Sequence, residues 1–206
     1  AGRPGELGAV EWLALHLGWE THVMSRLDRG TSGALLLALN PAAAARAQAI
    51  HEAGTATKVY EFLSATDNRK LGLSDSWQRD EALDDKLAQT HFTRLGASPD
   101  GRLFQYRAEI SRGRRHQIRR HAQASGVPLL GDEEYGGEAF TRLCLHCAEI
   151  HWPELREPVT APRPASFAAL LGDATINAQV AVCHDRRGQW LAAVTDAWRA
   201  VHRDEI

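Results

Sequence analysis

The stretch Ser-Arg-Leu-Asp-Arg-Gly-Thr-Ser-Gly-Ala-Leu-Leu-Leu-Ala-Leu at residues 25–39 joins a polar, glycine-containing loop to an uninterrupted apolar run. A short apolar run bounded by turn residues predicts a strand buried on both faces, which we place at residues 34–39. Asp28 lies in the loop beside Arg26 and Arg29, and loops held by a rigid strand often carry functional residues. The arginines favour an ionised Asp28, as a nucleophile requires, although Asp28 could equally cap the loop and pair with Arg29.

Hydrophobic periodicity around this stretch predicts further helices and strands. Asn40-Pro41 and Gly54 are typical start and stop residues, so a helix is expected between them. The predicted segments are helices at 7–17, 41–53 and 117–125, strands at 34–39, 58–65, 90–95, 103–111 and 143–150, and an irregular segment at 67–85. This arrangement predicts an α+β fold, with a mixed, mostly antiparallel sheet and flanking helices.

Length and composition fit a folded protein with one main domain, since the chain has 206 residues of which 44% are hydrophobic. A proline-rich stretch at 158–164 predicts a boundary, so we expect a catalytic domain at 1–170 and an extension of unknown role at 171–206. No apolar run approaches the roughly 18 residues of a membrane span, so no membrane partner is expected. Three cysteines do not suggest a disulfide framework, and we expect a monomer in a reducing cytoplasm.

Arginines are concentrated between residues 112 and 120, although the net charge of the whole chain is −2. The overall charge argues against a nucleic-acid partner, and an arginine run is usually a solvated face. Here the five arginines are accompanied by Gly113, His116 and Gln117 and by no acidic residue. Such a mixture suits contact with phosphates and polar base edges, so the charge distribution favours a nucleic-acid surface.

Several motifs, in order along the chain, resemble those of the RluA family of pseudouridine synthases. The loop at 26–33 resembles the family's RLDxxTSG nucleophile motif, with Ser25 in place of the usual preceding His, and 58–60 resembles its K-x-Y motif. Residues 113–121 resemble GRxHQIRxH, residues 126–136 resemble GxPxxGDxxYG, and residues 143–147 resemble LxLHA. The similarity covers roughly residues 9–168, and the Lys-Pro-Gly segment that usually opens the family pattern has no counterpart here.

The resemblance implies an RNA-modifying isomerase that turns uridine into pseudouridine in ribosomal or transfer RNA without a cofactor or a metal. It assigns Asp28 as the nucleophile, Tyr60 as the residue against the uracil and a candidate proton acceptor, and Arg119 as the ion-pair partner of Asp28. Whether Asp28 attacks the sugar or assists elimination to a glycal stays open. Arg26 would fill the space of the displaced base, and the residues expected to contact RNA are Arg26, Arg29, Thr31, Arg114, Arg115, His116, Gln117 and Leu145.

Three other interpretations compete with this one. A zinc site could use Cys144, His146, Cys147 and His151, but strand alternation sends the first two to one face and the last two to the other. A hydrolase using Asp28 would need a paired acid, which the motif lacks. A non-catalytic RNA-binding module of the same fold remains the alternative, although the three predicted catalytic residues are all present.

Overall fold

The computed structural model of the chain describes residues 9–18, 20–172, 183–184 and 190–194. None of the helices in these ranges has the length and apolarity that crossing a membrane requires. The helices are α1 (Ala9–Leu17), α2 (Pro41–Ala53), α3 (Gln117–Ala124) and α4 (Ala165–Leu170), with 3-10 helices at Asn68–Leu71 and Glu133–Tyr135. The strands are β1 (His22–Val23), β2 (Ser32–Ala38), β3 (Thr57–Ser64), β4 (Ser76–Asp80), β5 (Gln89–Ala97), β6 (Phe104–Ile110), β7 (Leu145–His151), β8 (Val159–Thr160), β9 (Cys183–His184) and β10 (Trp190–Val194).

The strands form one mixed sheet in the order β4-β5-β6-β3-β7-β2-β10-β9, with β1 paired to β2 and β8 paired to β7. The pairing of β2 with β7 is parallel, and the other pairings are antiparallel. The predicted α+β fold with a mostly antiparallel sheet is therefore confirmed. Strand β3 lies near the middle of the sheet, between β6 and β7, which holds its side chains in fixed positions.

Strand β2 confirms the strand predicted from the apolar run, because all seven of its residues are buried. The helix that follows it has the predicted bounds. The Asn40 side chain accepts a hydrogen bond from the Ala43 N–H at 2.8 Å, and Pro41 occupies the first turn. At the other end Gly54 adopts φ of +69°, the left-handed conformation in which glycine commonly ends a helix. These local signals place α2 beside β2, where its Ala43 and Ala47 are buried.

The segment 67–85, predicted to be irregular, contains a 3-10 helix and strand β4, so that prediction is wrong. Strand β4 is an edge strand whose residues are alternately exposed and half-buried, which leaves few apolar residues to identify it. Its Trp77 stacks on Phe92 of β5 with ring centroids 5.0 Å apart. The hydrophobic periodicity of the sequence therefore did not reveal β4, whose one large aromatic side chain packs against the neighbouring strand.

Part of the segment 171–206 joins the sheet of the main domain. Within that segment the structure describes 171–172, 183–184 and 190–194, and Trp190–Val194 pairs antiparallel with β2 from Trp190 opposite Ala38 to Val194 opposite Ala34. The division at residue 170 stays a prediction. Residues 7 and 8 of the first predicted helix lie outside the described residues, and the rest of that helix corresponds to α1.

Candidate active site

The loop carrying Asp28 is held between β1 and β2 by backbone contacts that explain its sequence. The Thr31 N–H donates to the Asp28 carbonyl oxygen at 2.9 Å, which closes a turn. Gly33 has φ of +113°, and a Cβ there would lie 2.2 Å from the carbonyl oxygen of Cys147. Any other residue would force β2 away from β7, since L side chains rarely adopt this φ and the space is occupied by backbone. The loop is therefore anchored to the neighbouring parallel strand.

A cleft of about 1020 Å³ opens beside this loop. Its walls are the Asp28 loop, one face of α2, the start of β3, and the chain from the end of β6 into α3. The lining residues are Val23, Met24, Ser25, Arg26, Asp28, Thr31, Ala44, Ala45, Gln48, His51, Glu52, Lys58, Tyr60, Ile110, Arg112, Gly113, Arg114, Arg115, Gln117, Ile118 and Leu145. Residues from every predicted motif except the one at 126–136 thus meet at one cavity.

The carboxyl group of Asp28 is half-buried in this cleft, and no described residue forms a hydrogen bond or an ion pair with it. Burial raises its pKa above the ordinary 3.8, against the lowering effects of His116, Arg119 and Arg26, and Asp132 raises it further. The prediction that arginines hold Asp28 ionised is therefore only partly right: Arg26 acts in that direction, but burial dominates. Arg29 neither pairs with Asp28 nor is among the groups that shift its pKa, so the alternative of an Asp28–Arg29 pair is wrong.

Tyr60 projects from β3 into the same cleft and is 6% exposed. Burial raises its pKa well above the ordinary 10, and Cys147, through its charge and a hydrogen bond, and the charge of Asp28 raise it further. The phenol consequently stays protonated at neutral pH. A role as proton acceptor would have to use the neutral hydroxyl, because the phenolate is disfavoured in this environment.

Arg119 does not form the ion pair with Asp28 that the resemblance implied. Its Nε and Nη2 atoms instead donate to both carboxylate oxygens of Asp132 at 2.7 and 2.6 Å, and Nη2 also donates to Glu134 at 2.9 Å. Burial lowers the pKa of Arg119, but the contacts with Asp132 and Glu134 together raise it. The buried carboxylate of Asp132 accepts hydrogen bonds from the Arg119 guanidinium, which is itself almost inaccessible to solvent. Arg119 therefore affects Asp28 only through the longer-range effect of its charge.

The residues predicted to contact RNA divide into accessible and buried groups. Arg26 and Arg115 are exposed at the cleft, and Arg114 is half-buried there with its Nε donating to the Leu87 carbonyl oxygen at 3.1 Å. Arg29 is exposed but is not part of the cleft lining. Thr31 is 5% exposed, and its hydroxyl faces no hydrogen-bond partner within the described part of the chain. Three of these arginines, Arg26, Arg114 and Arg115, therefore line the cleft, whereas the Thr31 hydroxyl is buried in its wall.

Gln117, His116 and Leu145 have different surroundings from those expected. The Gln117 side chain is 2% exposed and bonds the Gln89 carbonyl oxygen, the Thr90 hydroxyl and the Arg114 N–H, so it fixes the loop before α3 more than it offers a free contact. His116 precedes α3 with φ of +54° and lies 3.0 Å from the Tyr135 hydroxyl oxygen through its Nδ1. It lies outside the cleft lining and influences Asp28 by charge. Leu145 is 2% exposed and forms part of the cleft wall.

Helix α2 provides one wall of the cleft, which the sequence motifs did not predict. Ala44, Gln48 and His51 line it at spacings of four and three residues, the spacing of one helix face, but an alanine-rich helix gave no chemical signal. Lys58 lines the same end of the cleft. Lys58 lies two residues before Tyr60 and therefore on the same face of β3. The alternation of side chains along a strand could have predicted this from the sequence.

The Cys/His group that could have suggested zinc does not converge. Both ring nitrogens of His146 lie near protein partners, Nδ1 at 2.9 Å from the Ser32 hydroxyl oxygen and Nε2 at 3.3 Å from the Ala161 carbonyl oxygen. His151 is exposed and pairs with Glu149 at 2.8 Å. Among the residues that the structure describes, no group of three or more His, Cys, Asp and Glu side chains is arranged to hold a metal ion.

Comparison with known proteins agrees with this geometry. The family model described as RNA pseudouridylate synthase matches residues 12–124. An uncharacterized RNA pseudouridine synthase of Zymomonas mobilis is 32% identical over 190 residues, which cover 82% of this chain and 86% of that protein. Ribosomal large subunit pseudouridine synthase C of Vibrio vulnificus is 30% identical over 69% of this chain and 51% of that protein. The structure of human RNA pseudouridylate synthase domain containing 4 superposes with a TM-score of 0.63 at 19% identity, covering 80% of this chain and 79% of that one.

Proposed function

Because this chain belongs to the RNA pseudouridylate synthase family of isomerases, as its RluA-like motifs predicted, we propose that it converts specific uridines of a structured RNA to pseudouridine with Asp28 as the nucleophile. One observation carries the proposal. Asp28 and Tyr60, which lie 32 positions apart in different motifs, line one cleft, and the charge of Asp28 is among the causes that raise the pKa of Tyr60. A carboxylate with no partner among the described residues, beside a buried phenol ring, matches what cleavage and reattachment of a base require.

The reaction breaks the bond between N1 of uracil and C1′ of ribose and forms a bond between C5 and C1′. The proton on C5 is lost and N1 gains one, so substrate and product are isomers. Asp28 must be ionised at the first step, whether it attacks C1′ or removes a proton to give a glycal. Half-burial leaves this carboxylate poorly solvated, which makes it more reactive, and Arg26, Arg119 and His116 keep its ionised form accessible. Tyr60 supplies an apolar surface for the detached uracil.

Recognition of the RNA is assigned to the rim of the cleft. Arg114 and Arg115 stand just before the N-terminus of α3, where phosphates bind favourably, and Thr31 lies in the cleft wall with its hydroxyl buried. The uridine must leave its stack to reach Asp28, which costs a few kcal/mol. Arg26 is exposed at the cleft mouth, and its planar guanidinium suits the space that the base vacates.

The test is to incubate the purified protein with transcribed ribosomal and transfer RNAs and to map pseudouridine at single-nucleotide resolution. We expect one or a few sites with the natural chain and none with Asp28→Asn, which keeps the side-chain shape but cannot act as a nucleophile. Asp85→Asn is the matched control, because Asp85 is exposed and is not part of the cleft lining. Turnover by the Asp28→Asn variant would exclude Asp28 as the catalytic carboxylate. Binding without modification by the natural chain would favour the non-catalytic RNA-binding module.

We also propose that the protein works as a monomer in the cytoplasm on ribosomal or transfer RNA. Cys144 and Cys147 are buried free thiols, which suits a reducing compartment. The large exposed apolar side chains, Leu15, Val23, Leu71, Leu87 and Leu95, belong to different elements and loops. Light scattering of the purified chain and fractionation of the source cells test these two points, and the mapping experiment identifies the RNA.

A further inference from the structure

Lys58 is a cation in the cleft that has no partner in the described protein. Strand β3 places it on the same sheet face as Tyr60, about 6.6 Å further along the strand. Its side chain is half-buried and lines the cleft, and no described residue forms a hydrogen bond or an ion pair with it. An ammonium group that is largely removed from water and left unpaired costs free energy unless a ligand supplies an anion.

The charged and titratable groups around Lys58 come from three elements and from the segment that follows β6. His51 and Glu52 belong to α2, Cys147 to β7 and Tyr60 to β3, while Arg112 follows β6 and donates from Nη2 to the Glu52 carbonyl oxygen at 3.1 Å. Burial lowers the pKa of Lys58, and the Cys147 thiol raises it. Glu52 is exposed at the cleft edge and does not contribute to the pKa of Lys58. No carboxylate of the described chain therefore compensates the ammonium.

The imidazole of His51 cannot supply the missing negative charge. It is half-buried, its ring meets Trp152 with centroids 5.2 Å apart, and burial and the nearby Lys58 lower its pKa to about 4. His51 is thus neutral at physiological pH and offers hydrogen bonds without adding charge. Arg112 lies flat against Gly54 and adds a second cation at the same end of the cleft. This end therefore carries two cations and a neutral imidazole.

Lys58 and Asp28 belong to different walls of the cleft, Lys58 to the start of β3 and Asp28 to the loop between β1 and β2. Asp28 is not among the groups that shift the pKa of Lys58. The charge of Asp28 does raise the pKa of Tyr60, which lies two residues after Lys58 on β3. A ligand whose base is held at Asp28 and Tyr60 would extend along β3 toward Lys58. The part of an RNA chain that carries a negative charge is its phosphate.

We propose that Lys58, assisted by Arg112, binds a backbone phosphate of the RNA next to the nucleotide held at Asp28. The inference rests on the proposed function and adds to it a second anchoring point besides Arg114 and Arg115. The phosphate supplies the negative charge that the described protein does not provide. Binding there fixes how far the displaced nucleotide enters the cleft.

Binding of an RNA stem-loop centred on the mapped uridine tests this directly. Lys58→Met keeps most of the side-chain volume without the charge, and we expect about tenfold weaker binding near physiological salt, with the loss appearing mainly as a higher KM. The slope of log affinity against log salt should decrease by about one. Lys58→Arg should retain the slope. Lys70→Met and Lys86→Met are the matched controls, since both lysines are exposed and are not part of the cleft lining. A natural slope in Lys58→Met overturns the proposal.

A second measurement uses the unsubstituted chain and so does not depend on the folding of a variant. The sequence contains three lysines, so reductive methylation with ¹³C-formaldehyde gives three resolvable lysine signals. Lys58 should titrate below the ordinary pKa of a lysine, 10.5, and adding the stem-loop should move its titration to higher pH, because a phosphate favours the charged form. A Lys58 signal unmoved by bound RNA refutes the phosphate contact. Pseudouridine formation in the same samples shows whether the proposed function itself holds.

Discussion

Removing one partner of the buried Arg119–Asp132 pair should cost much of the stability of this fold. The Arg119 side chain is 9% exposed and that of Asp132 is 0% exposed, and two hydrogen bonds of 2.7 and 2.6 Å join them. Breaking a buried pair on one side leaves an uncompensated charge and typically costs about 3–5 kcal/mol. For a chain of this length that corresponds to a fall of roughly 6–20 °C in Tm. Arg119→Met should show a loss of this size, and Asp132→Asn a smaller one, because Glu134 still pairs with Arg119 in that variant.

The neighbouring arginine is the matched control. Arg120 pairs with Asp84 at 3.1 Å, but Asp84 is 65% exposed, and pairs of this kind contribute about 0.2–1 kcal/mol. Arg120→Met should therefore shift the urea unfolding midpoint only slightly, whereas Arg119→Met shifts it strongly. Equal shifts for the two variants would refute the argument.

The Asp28→Asn variant tests whether Arg119 pairs with Asp132, as observed, or with Asp28, as the resemblance predicted. Because burial raises the pKa of Asp28, its ionised form disfavours folding at neutral pH, and this substitution should leave stability unchanged or increase it. A loss as large as that of Asp132→Asn would mean that Arg119 is paired with Asp28 in solution. Urea unfolding followed by tryptophan fluorescence and by circular dichroism measures all four variants and checks that unfolding is two-state.

Two further predictions concern activity and RNA binding. Because the pKa of Asp28 is raised and its carboxylate must be ionised, kcat/KM should fall as the pH decreases, with a midpoint above pH 3.8. Arg26→Ala should move this midpoint to still higher pH, because the charge of Arg26 lowers the pKa of Asp28. A midpoint that does not move would exclude Arg26 as a charge that stabilises the ionised Asp28. Arg114→Ala and Arg115→Ala should each reduce the salt slope of RNA binding by about one. Arg102→Ala should leave it unchanged, because the Arg102 side chain is 86% exposed and is not part of the cleft lining. Equal slopes in all three arginine variants would contradict their assignment to phosphates.

Local sequence signals were sufficient to predict the elements whose type and ends depend on neighbouring residues in the chain. The apolar run became β2, and Asn40-Pro41 and Gly54 bounded α2. Strand β4 was missed, because an edge strand of alternating polar residues resembles a loop until Trp77 is seen to stack on Phe92.

The motifs predicted which residues meet, but not which groups pair. The motifs identified the family by resemblance, and that resemblance implied that Asp28, Tyr60 and the arginine cluster share a site; Asp28, Tyr60, Arg114 and Arg115 indeed line one cleft. Only the tertiary structure decided that Arg119 binds Asp132, that burial outweighs the arginines around Asp28, and that Lys58 faces the cleft unpaired within the described chain. Those outcomes depend on distances and on burial between segments far apart in the chain, and a linear pattern contains neither quantity.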